Sequence, residues 1–341
     1  MTDGPQVSVL MPCYNAAETV DEAVASILGQ SLETLELVAV DDGSTDETLP
    51  RLHAWAGRDR RVRLLARRHE GIIASLNAGL AACRAPAIAR MDADDRSHPD
   101  RLARQLGFLE ENEDIAVVGC LVEGYPPGEV REGFRIYLEW LNGLRTPQAI
   151  AREIFVESPL AHPSVMMRRT WLARAGVYED RGWPEDYDLW LRQFLLGARF
   201  AKVPEVLLWW REHPRRLTRT DSRYSVENFL RAKAWYLSRG PLQDRDAIIV
   251  WGAGPMGRRL SKHLVRQGVP LMAFVDIDPK KVGRTRRGLP ILAADDLPTW
   301  WGRYARPAVL ASVGSRGARE IIRSRLQAMG LREGQDWWAV A

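Results

Sequence analysis

Cysteine is scarce in this sequence, and long apolar runs are missing from it. Its three cysteines, Cys13, Cys83 and Cys120, lack CxxC spacing, so we expect neither a zinc site nor a disulfide framework. No apolar run approaches the roughly 20 residues that span a bilayer, and the polar start leads into an apolar strand without a signal-type segment. We therefore expect a cytoplasmic protein, either free or held peripherally at the inner face of the membrane.

An excess of charge of one sign is also missing, since the net charge is +4 over 341 residues. Hydrophobic residues make up 46% of the chain and charged residues 27%, which argues against long disordered stretches and supplies apolar side chains for two domains. Arginine carries most of the positive charge and suits phosphate-bearing ligands. The most basic stretch, residues 58–68, is interpreted as a solvated face, so nucleic acid is not expected as a partner.

The first third of the chain alternates apolar strands with helical apolar spacing. Strands are predicted at residues 7–11, 35–40, 62–65 and 87–91, and helices at residues 18–28, 45–55, 72–82 and 99–109. This alternation predicts an α/β fold with a mainly parallel sheet and helices on both faces. Ligands of such sheets bind at the carboxyl ends of the strands, which here lead into residues 12–15, 41–45 and 92–95.

The pattern then changes twice along the chain. Between residues 124 and 152 Gly and Pro interrupt it, which favours a loop-rich insertion near an acceptor site. A helical stretch ends near Gly240-Pro241, and residues 247–251 begin a fresh buried strand. We therefore expect a domain at residues 1–218, a helical linker at 219–244 and a small α/β domain at 245–341.

An acidic motif, Asp92-Ala93-Asp94-Asp95, follows the fourth predicted strand. In an extended segment Asp92 and Asp94 point to the same side, and such oxygen ligands favour Mg²⁺ or Mn²⁺. Taken alone, the motif is equally typical of a polar turn that precedes a helix.

A second acidic motif, Val40-Asp41-Asp42-Gly43-Ser44, follows the second predicted strand. These residues either cap the next helix or hold a base edge and ribose hydroxyls, since a carboxylate accepts a hydrogen bond from an imide N–H.

Four motifs occur in the order and at about the spacing found in family 2 glycosyltransferases, and residues 5–215 resemble that family. They are Pro12-Cys13-Tyr14-Asn15, Val40-Asp41-Asp42-Gly43-Ser44, Met91-Asp92-Ala93-Asp94-Asp95 and Pro184-Glu185-Asp186-Tyr187-Asp188, with His162-Pro163-Ser164-Val165 before the fourth. The resemblance implies the GT-A fold and an inverting, metal-dependent transfer of a sugar from a nucleoside diphosphate sugar. It further implies a saccharide or glycoconjugate acceptor, as in polysaccharide biosynthesis.

The resemblance also implies how the nucleotide is held. The loop containing Pro12, Tyr14 and Asn15 would line the nucleotide pocket, with Tyr14 near the base. Asp42 would contact a uracil-type N–H, which favours a UDP-linked donor, and Asp41 would support the loop. His69 would lie beside the nucleotide.

The same resemblance assigns the metal and the donor sugar. Asp94 would be the principal protein ligand of Mn²⁺ or Mg²⁺, Asp92 would lie near the ribose, and Asp95 would orient the donor sugar. Arg211 would lie over the diphosphate, and His213 would reach the metal or a phosphate. An isolated His of this kind is otherwise typical of a solvated surface.

Asp186 is the candidate general base, because similar enzymes place an acidic pair at the start of a helix under the acceptor site. The helix dipole there favours the ionised carboxylate, although a helix-capping acid has the same pattern. Asp188 is the alternative candidate for the base, or else a structural neighbour of Asp186. A single base and no second nucleophile favour direct displacement with inversion.

The C-terminal part carries Gly252-x-Gly254-x-x-Gly257 after a strand, with Asp276 nineteen residues beyond the last Gly. This pattern is typical of half of a Rossmann domain, which binds NAD(P), another nucleotide, a nucleotide sugar or nothing. Two competing functions follow. One is an NAD(P)-dependent oxidoreductase that uses this module, and the other is a non-catalytic nucleotide-sugar-binding protein.

Overall fold

The computed structural model describes residues 4–341, which form two compact units. The first unit contains the chain up to residue 150 together with residues 159–181 and 185–220. The second contains residues 151–158, 182–184 and 221–341. The domain boundaries that we expect after residues 218 and 244 remain predictions.

The first unit is built on one eight-stranded sheet. Its strands are β1 (Val7–Cys13), β2 (Leu35–Asp41), β3 (Val62–Ala66), β4 (Ala87–Arg90), β5 (Arg96–Ser97), β6 (Ile115–Tyr125), β7 (Met166–Arg168) and β8 (Arg199–Arg211). They lie in the order β3-β2-β1-β4-β7-β6-β8-β5. Strands β3, β2, β1 and β4 are parallel, β7 is antiparallel to both neighbours, and β5 is antiparallel to β8. Every residue of β1 and β2 is buried, as expected for parallel strands covered on both faces.

Helices lie between the strands of this sheet or follow its last strand. They are α1 (Val20–Leu28), α2 (Thr48–Arg58), α3 (Ile72–Ala82), α4 (Arg101–Glu111), α5 (Glu132–Gly143), α6 (Pro147–Glu153), α7 (Arg169–Ala175), α8 (Glu185–Leu195) and α9 (Leu217–Thr220). The predicted α/β fold class is confirmed. The prediction of a loop-rich segment at residues 124–152 is wrong, because most of it forms α5 and α6. Leu138 and Leu141 of α5 pack into the core. The glycines at both ends of α5 made this apolar face difficult to recognise in the sequence.

The second unit has its own six-stranded sheet. Its elements are α10 (Val226–Arg239), β9 (Ala247–Trp251), α11 (Pro255–Arg266), β10 (Leu271–Val275), β11 (Thr285–Arg286), β12 (Leu289–Leu292), α12 (Leu297–Trp301), β13 (Pro307–Ala311), α13 (Ala318–Ala328) and β14 (Trp337–Ala339). The order is β11-β12-β10-β9-β13-β14, and all neighbours except β11 and β12 are parallel. The expectation of a lone Rossmann half is therefore wrong, because β13 and β14 continue the sheet on the other side of β9. Within residues 4–341 no helix is long and apolar enough to cross a membrane.

Candidate active site

The carboxyl ends of β1, β2 and β4 lie side by side and bring three of the predicted motifs to one edge of the first sheet. Asn15 ties the first two loops together, since its side-chain oxygen accepts from the Thr45 N–H at 2.8 Å and its own N–H donates to the Ser44 hydroxyl at 3.0 Å. The Thr19 hydroxyl donates to the carbonyl oxygen of Ala93 at 3.0 Å and connects the first loop to the third. Pro12 lies within β1, which extends to Cys13.

Both acids of the second motif are buried and hold loops of the chain itself. Asp41 accepts from the N–H groups of Gly43 and Ser44 at 3.2 and 3.1 Å. Asp42 accepts from the N–H groups of Glu70 and Gly71 at 3.0 and 2.9 Å, and its Oδ2 lies 2.8 Å from His69 Nδ1. Of these two acids, Asp41 has a buried oxygen, Oδ1, that has no partner among the described residues. Asp42 thus positions His69, whatever else it contacts.

Tyr14 and His69 form an aromatic pair at the surface. Their ring centroids lie 4.2 Å apart with an angle of 21° between the planes, so the rings are stacked. Tyr14 is 47% exposed, and the side chain of His69 is 55% exposed. An exposed stack of flat rings next to the carboxyl ends of β1 and β2 is a surface on which a further planar ring can stack.

Asp92, Asp94 and Asp95 bring their carboxylates together, with the three ligand oxygens within 4.8 Å of one another. Asp95 is buried, its Oδ1 accepts from the Arg211 N–H at 2.8 Å, and its Oδ2 has no partner among the described residues. Burial raises the pKa of Asp95 well above its usual range, and repulsion from Asp94 and Asp92 raises it further. The cations nearby therefore offset only part of the repulsion among the three carboxylates.

The end of β8 lies against this acidic cluster. Arg211 Nε donates to the carbonyl oxygen of Asp94 at 2.6 Å, and the Arg211 guanidinium pairs with Glu22 at 2.5 Å. His213 Nε2 lies 2.7 Å from Asp94 Oδ2, and His213 Nδ1 is buried without a partner in the described part of the chain. The antiparallel pairing of β5 with β8 directs this segment to the loop that precedes β5.

This group of atoms fits a divalent cation. Carboxylate oxygens are the hard ligands that Mg²⁺ and Mn²⁺ take, and an imidazole nitrogen is compatible with the latter. The partnerless Asp95 Oδ2 and the mutual repulsion of the three carboxylates are both relieved when a cation binds. His213 borders this group of oxygens through its contact with Asp94.

Asp186 lies half-buried in the first turn of α8. Its neighbour Asp188 is fully buried, and Arg192 Nε donates to it at 2.8 Å, so Asp188 belongs to a structural ion pair. Burial raises the pKa of the Tyr178 hydroxyl, nearby Arg90 opposes this, and Glu185 and Asp186 raise it further. Tyr178 therefore lies within electrostatic range of both Asp186 and Arg90.

Arg90 and Tyr178 were not identified from the sequence, and His162 was quoted there only as part of a motif, without a role. Arg90 is buried and forms an ion pair with Asp92. His162 Nε2 lies 2.8 Å from the Tyr178 hydroxyl oxygen, and burial, reinforced by Arg90, lowers the pKa of His162 well below its usual range. The spacing of two between Arg90 and Asp92 was a usable signal, because residues i and i+2 of an extended segment share a side.

The candidate residues of the C-terminal part lie together in the second unit. A Cβ on Gly257 would stand 1.8 Å from the carbonyl oxygen of Gly252, so only Gly allows this approach of helix to turn. The Asp276 carboxylate accepts from the N–H groups of Ala253 and Asp278 at 2.9 and 3.0 Å, and Lys281 Nζ lies 3.2 Å away. Asp276 thus holds the glycine-rich turn to the end of β10.

Comparisons with known proteins agree with this picture of the first unit. A family model described as Glycosyl transferase family 2 matches residues 8–175. EpsE of Bacillus subtilis (strain 168), which is named as a glycosyltransferase, is 33% identical over 296 residues, or 85% of this chain and 99% of that protein.

Two solved structures have a similar fold. S. aureus TarS in complex with UDP-GlcNAc has a TM-score of 0.57 and 17% identity, with 77% of this chain and 72% of that chain covered. The mannosyltransferase PcManGT from Pyrobaculum calidifontis, in complex with GDP-Man and Mn²⁺, has a TM-score of 0.53 and 21% identity, with coverage of 79% and 70%.

Proposed function

Because this chain belongs to glycosyl transferase family 2 and is a glycosyltransferase, we propose that it moves a sugar from a UDP-linked donor to a saccharide or glycoconjugate acceptor, with inversion. The observation that carries the proposal is the meeting of Asp92, Asp94, Asp95 and His213 at the sheet edge that also presents Tyr14 and His69. The family assignment favours this transferase over an oxidoreductase or a non-catalytic binding protein. We place the enzyme in the cytoplasm, either free or at the inner face of the membrane.

The nucleotide is proposed to lie on the edge formed by the loops after β1 and β2. The uracil would stack on the exposed rings of Tyr14 and His69, and Asn15 would keep the loop in place. Asp41, which has the buried oxygen without a partner, is as well placed as Asp42 to accept from the base. The relatives of known structure bind UDP-GlcNAc and GDP-Man, which supports a nucleotide-sugar donor.

The acidic cluster is proposed to hold Mn²⁺ or Mg²⁺ through Asp94 and His213, with Asp92 and Asp95 beside it. A bound cation would neutralise charge on the departing diphosphate. Arg211 keeps Asp94 and Asp95 in place through its side chain and its backbone N–H. The presence of Mn²⁺ in the PcManGT complex supports this part of the proposal.

Asp186 is proposed to act as the general base. The acceptor hydroxyl oxygen would attack the anomeric carbon while the bond from that carbon to the diphosphate oxygen breaks, and Asp186 would take the hydroxyl proton. The start of α8 stabilises the ionised carboxylate that this step requires.

Two substitutions separate donor binding from chemistry. We expect Asp94→Asn to abolish the thermal stabilisation that a UDP-sugar gives in the presence of Mn²⁺, because the principal metal ligand is lost. We expect Asp186→Asn to keep that stabilisation and to lower transfer by about 10²–10⁴-fold, the usual contribution of a general base.

Thermal shift over a panel of nucleotide sugars, followed by release of nucleoside diphosphate, measures both effects. The control is Asp59→Asn, because Asp59 lies just before β3, at the opposite end of the strands. Full turnover by Asp186→Asn contradicts the assignment of the base. Donor binding that needs neither metal nor Asp94 contradicts the metal site.

A further inference from the structure

We propose that the second unit binds a nucleoside phosphate at the carboxyl edge of its own sheet. The phosphate would lie between the first turn of α11 and the hydroxyl of Ser312, and the base would lie against Ile277. This site is separate from the donor site proposed for the first unit and uses none of its residues.

The strand order supplies the location. Going outward from β9, the chain places β10 and β12 on one side and then returns to place β13 and β14 on the other. The connection after β9 therefore leads to one side of the sheet order and the connection after β13 to the other, which makes this position a topological switch point. In open parallel sheets, ligands bind at this switch point, outside the carboxyl ends of the strands.

The loop after β9 is built for close approach by a phosphate. Gly252 has a φ of 117°, a value that L side chains rarely adopt. Gly254 precedes α11 and provides no side-chain cap, and a Cβ placed on Gly254 would have no heavy atom within 4 Å. Pro255, the first residue of this 12-residue helix, has no N–H, so the N–H groups of the residues that follow it would attract an anion at this end of the helix.

Ser312 is the independent observation that points to a ligand. It is the first residue after β13, it is 2% exposed, and its hydroxyl has no hydrogen-bond partner among residues 4–341. Its N–H donates to the carbonyl oxygen of Trp251 at 2.8 Å, and its own carbonyl oxygen would lie 2.6 Å from a Cβ on Gly252. A buried hydroxyl without a partner is unfavourable, and a phosphate oxygen would satisfy it.

The surroundings of Asp276 indicate that the base of the ligand is recognised rather than the ribose. Its carboxylate already accepts from two backbone N–H groups and from Lys281, so it is not an open acceptor for a ribose diol. The next residue, Ile277, is 72% exposed at the end of β10. An exposed apolar side chain beside a phosphate-binding turn suits the face of a nucleobase, and the phosphate supplies the binding energy.

The test uses the full chain with Asp94→Asn and EDTA, so that binding to the first unit is suppressed. Isothermal titration with ADP, NAD⁺ and UDP as probes then reports the second unit and tells which base and how many phosphates it takes. Gly254→Asp adds a carboxylate where the phosphate would lie and, as a favoured helix-capping residue, is expected to preserve folding. Gly254→Asn is the matched neutral control.

We expect at least one probe to bind, and we expect Gly254→Asp to weaken it about tenfold or more relative to Gly254→Asn, which fills the same space without the charge. Ser312→Ala removes a buried hydroxyl that has no partner, so it should not lower the thermal midpoint, and it should weaken the same probe about threefold or more. Failure of all three probes to bind overturns the proposal. So does binding that survives both Gly254→Asp and Ser312→Ala.

Discussion

At the scale of single residues, the active site is organised by opposite charges buried next to its acids. Arg90 is the clearest case, because its side chain is 4% exposed and pairs with Asp92, which keeps 30% of its side-chain surface exposed. Arg90 also lies near His162 and Tyr178. A buried cation at this position offsets part of the repulsion among the three aspartates.

We predict that Arg90→Met destabilises the protein by about 3 kcal/mol, since removal of one partner of a buried ion pair leaves the other uncompensated. Adding Asp92→Asn to Arg90→Met should restore roughly 1 kcal/mol or more of the lost stability, because the unpaired negative charge is then removed as well. Urea unfolding in EDTA measures both values. Arg60→Met, at an exposed position, should change stability by about 0.5 kcal/mol at most. Additive effects of the two substitutions would show that the pair is not coupled.

At the scale of elements, the parallel strands that present the site depend on close contact with α3. Gly79 of α3 is buried, and a Cβ there would stand 2.1 Å from Leu10 Cδ1 of β1 and 2.9 Å from Val40 Cγ2 of β2. The loops that follow these two strands contain Tyr14 and Asp42. Gly79 is therefore needed for packing, although Gly weakens a helix.

We predict that Gly79→Ala destabilises the protein, because overpacking costs about 1–3 kcal/mol and exceeds the gain of about 1 kcal/mol in helix propensity. Gly57→Ala is the matched control. Gly57 lies in α2 with no heavy atom within 4 Å of its Cβ position, so this change should stabilise by about 0.5–1 kcal/mol. Both are measured by chemical unfolding. If Gly79→Ala stabilised the protein instead, the Leu10 side chain would have to move aside more easily than this packing suggests.

At the scale of the whole molecule, the compact units do not follow the chain in two uninterrupted pieces. Residues 151–158 belong to the second unit, where Glu153 pairs with Arg319 and Arg323. In the same unit Lys233 Nζ donates to the carbonyl oxygen of Val156 at 2.6 Å. The segment thus depends on residues that come later in the chain.

We predict that a chain ending at residue 220 folds poorly, because Ile154 and Phe155 are fully buried in the full chain and would lose residues that belong to their unit. The expected signs are dye binding to exposed apolar surface and self-association in gel filtration. Replacing Ile154 and Phe155 by Ser in the shortened chain should reduce both. A shortened chain that stays monomeric with an unchanged thermal midpoint would instead support an independent domain that ends near residue 218.

The sequence by itself determined the fold class, the family and the edge of the sheet where the acids meet. These features are local: strand and helix periods, turn residues, and acids placed directly after strands. Asp92 and Asp94 could be predicted to act together because a spacing of two in an extended segment puts them on one side. The parallel order of β1, β2 and β4 then brings the other loops beside them.

Tertiary structure decided the contacts between residues far apart in the chain. His213 reaches Asp94 across 119 positions only because β5 pairs with β8, and no local pattern specifies that register. Asp42 turns to the N–H groups of Glu70 and Gly71, which sequence spacing does not indicate. The second half of the C-terminal sheet, with Ser312 beside Gly252, likewise forms through non-local packing. Local periodicity predicts the helices and strands, but burial and strand pairing determine which side chains come into contact.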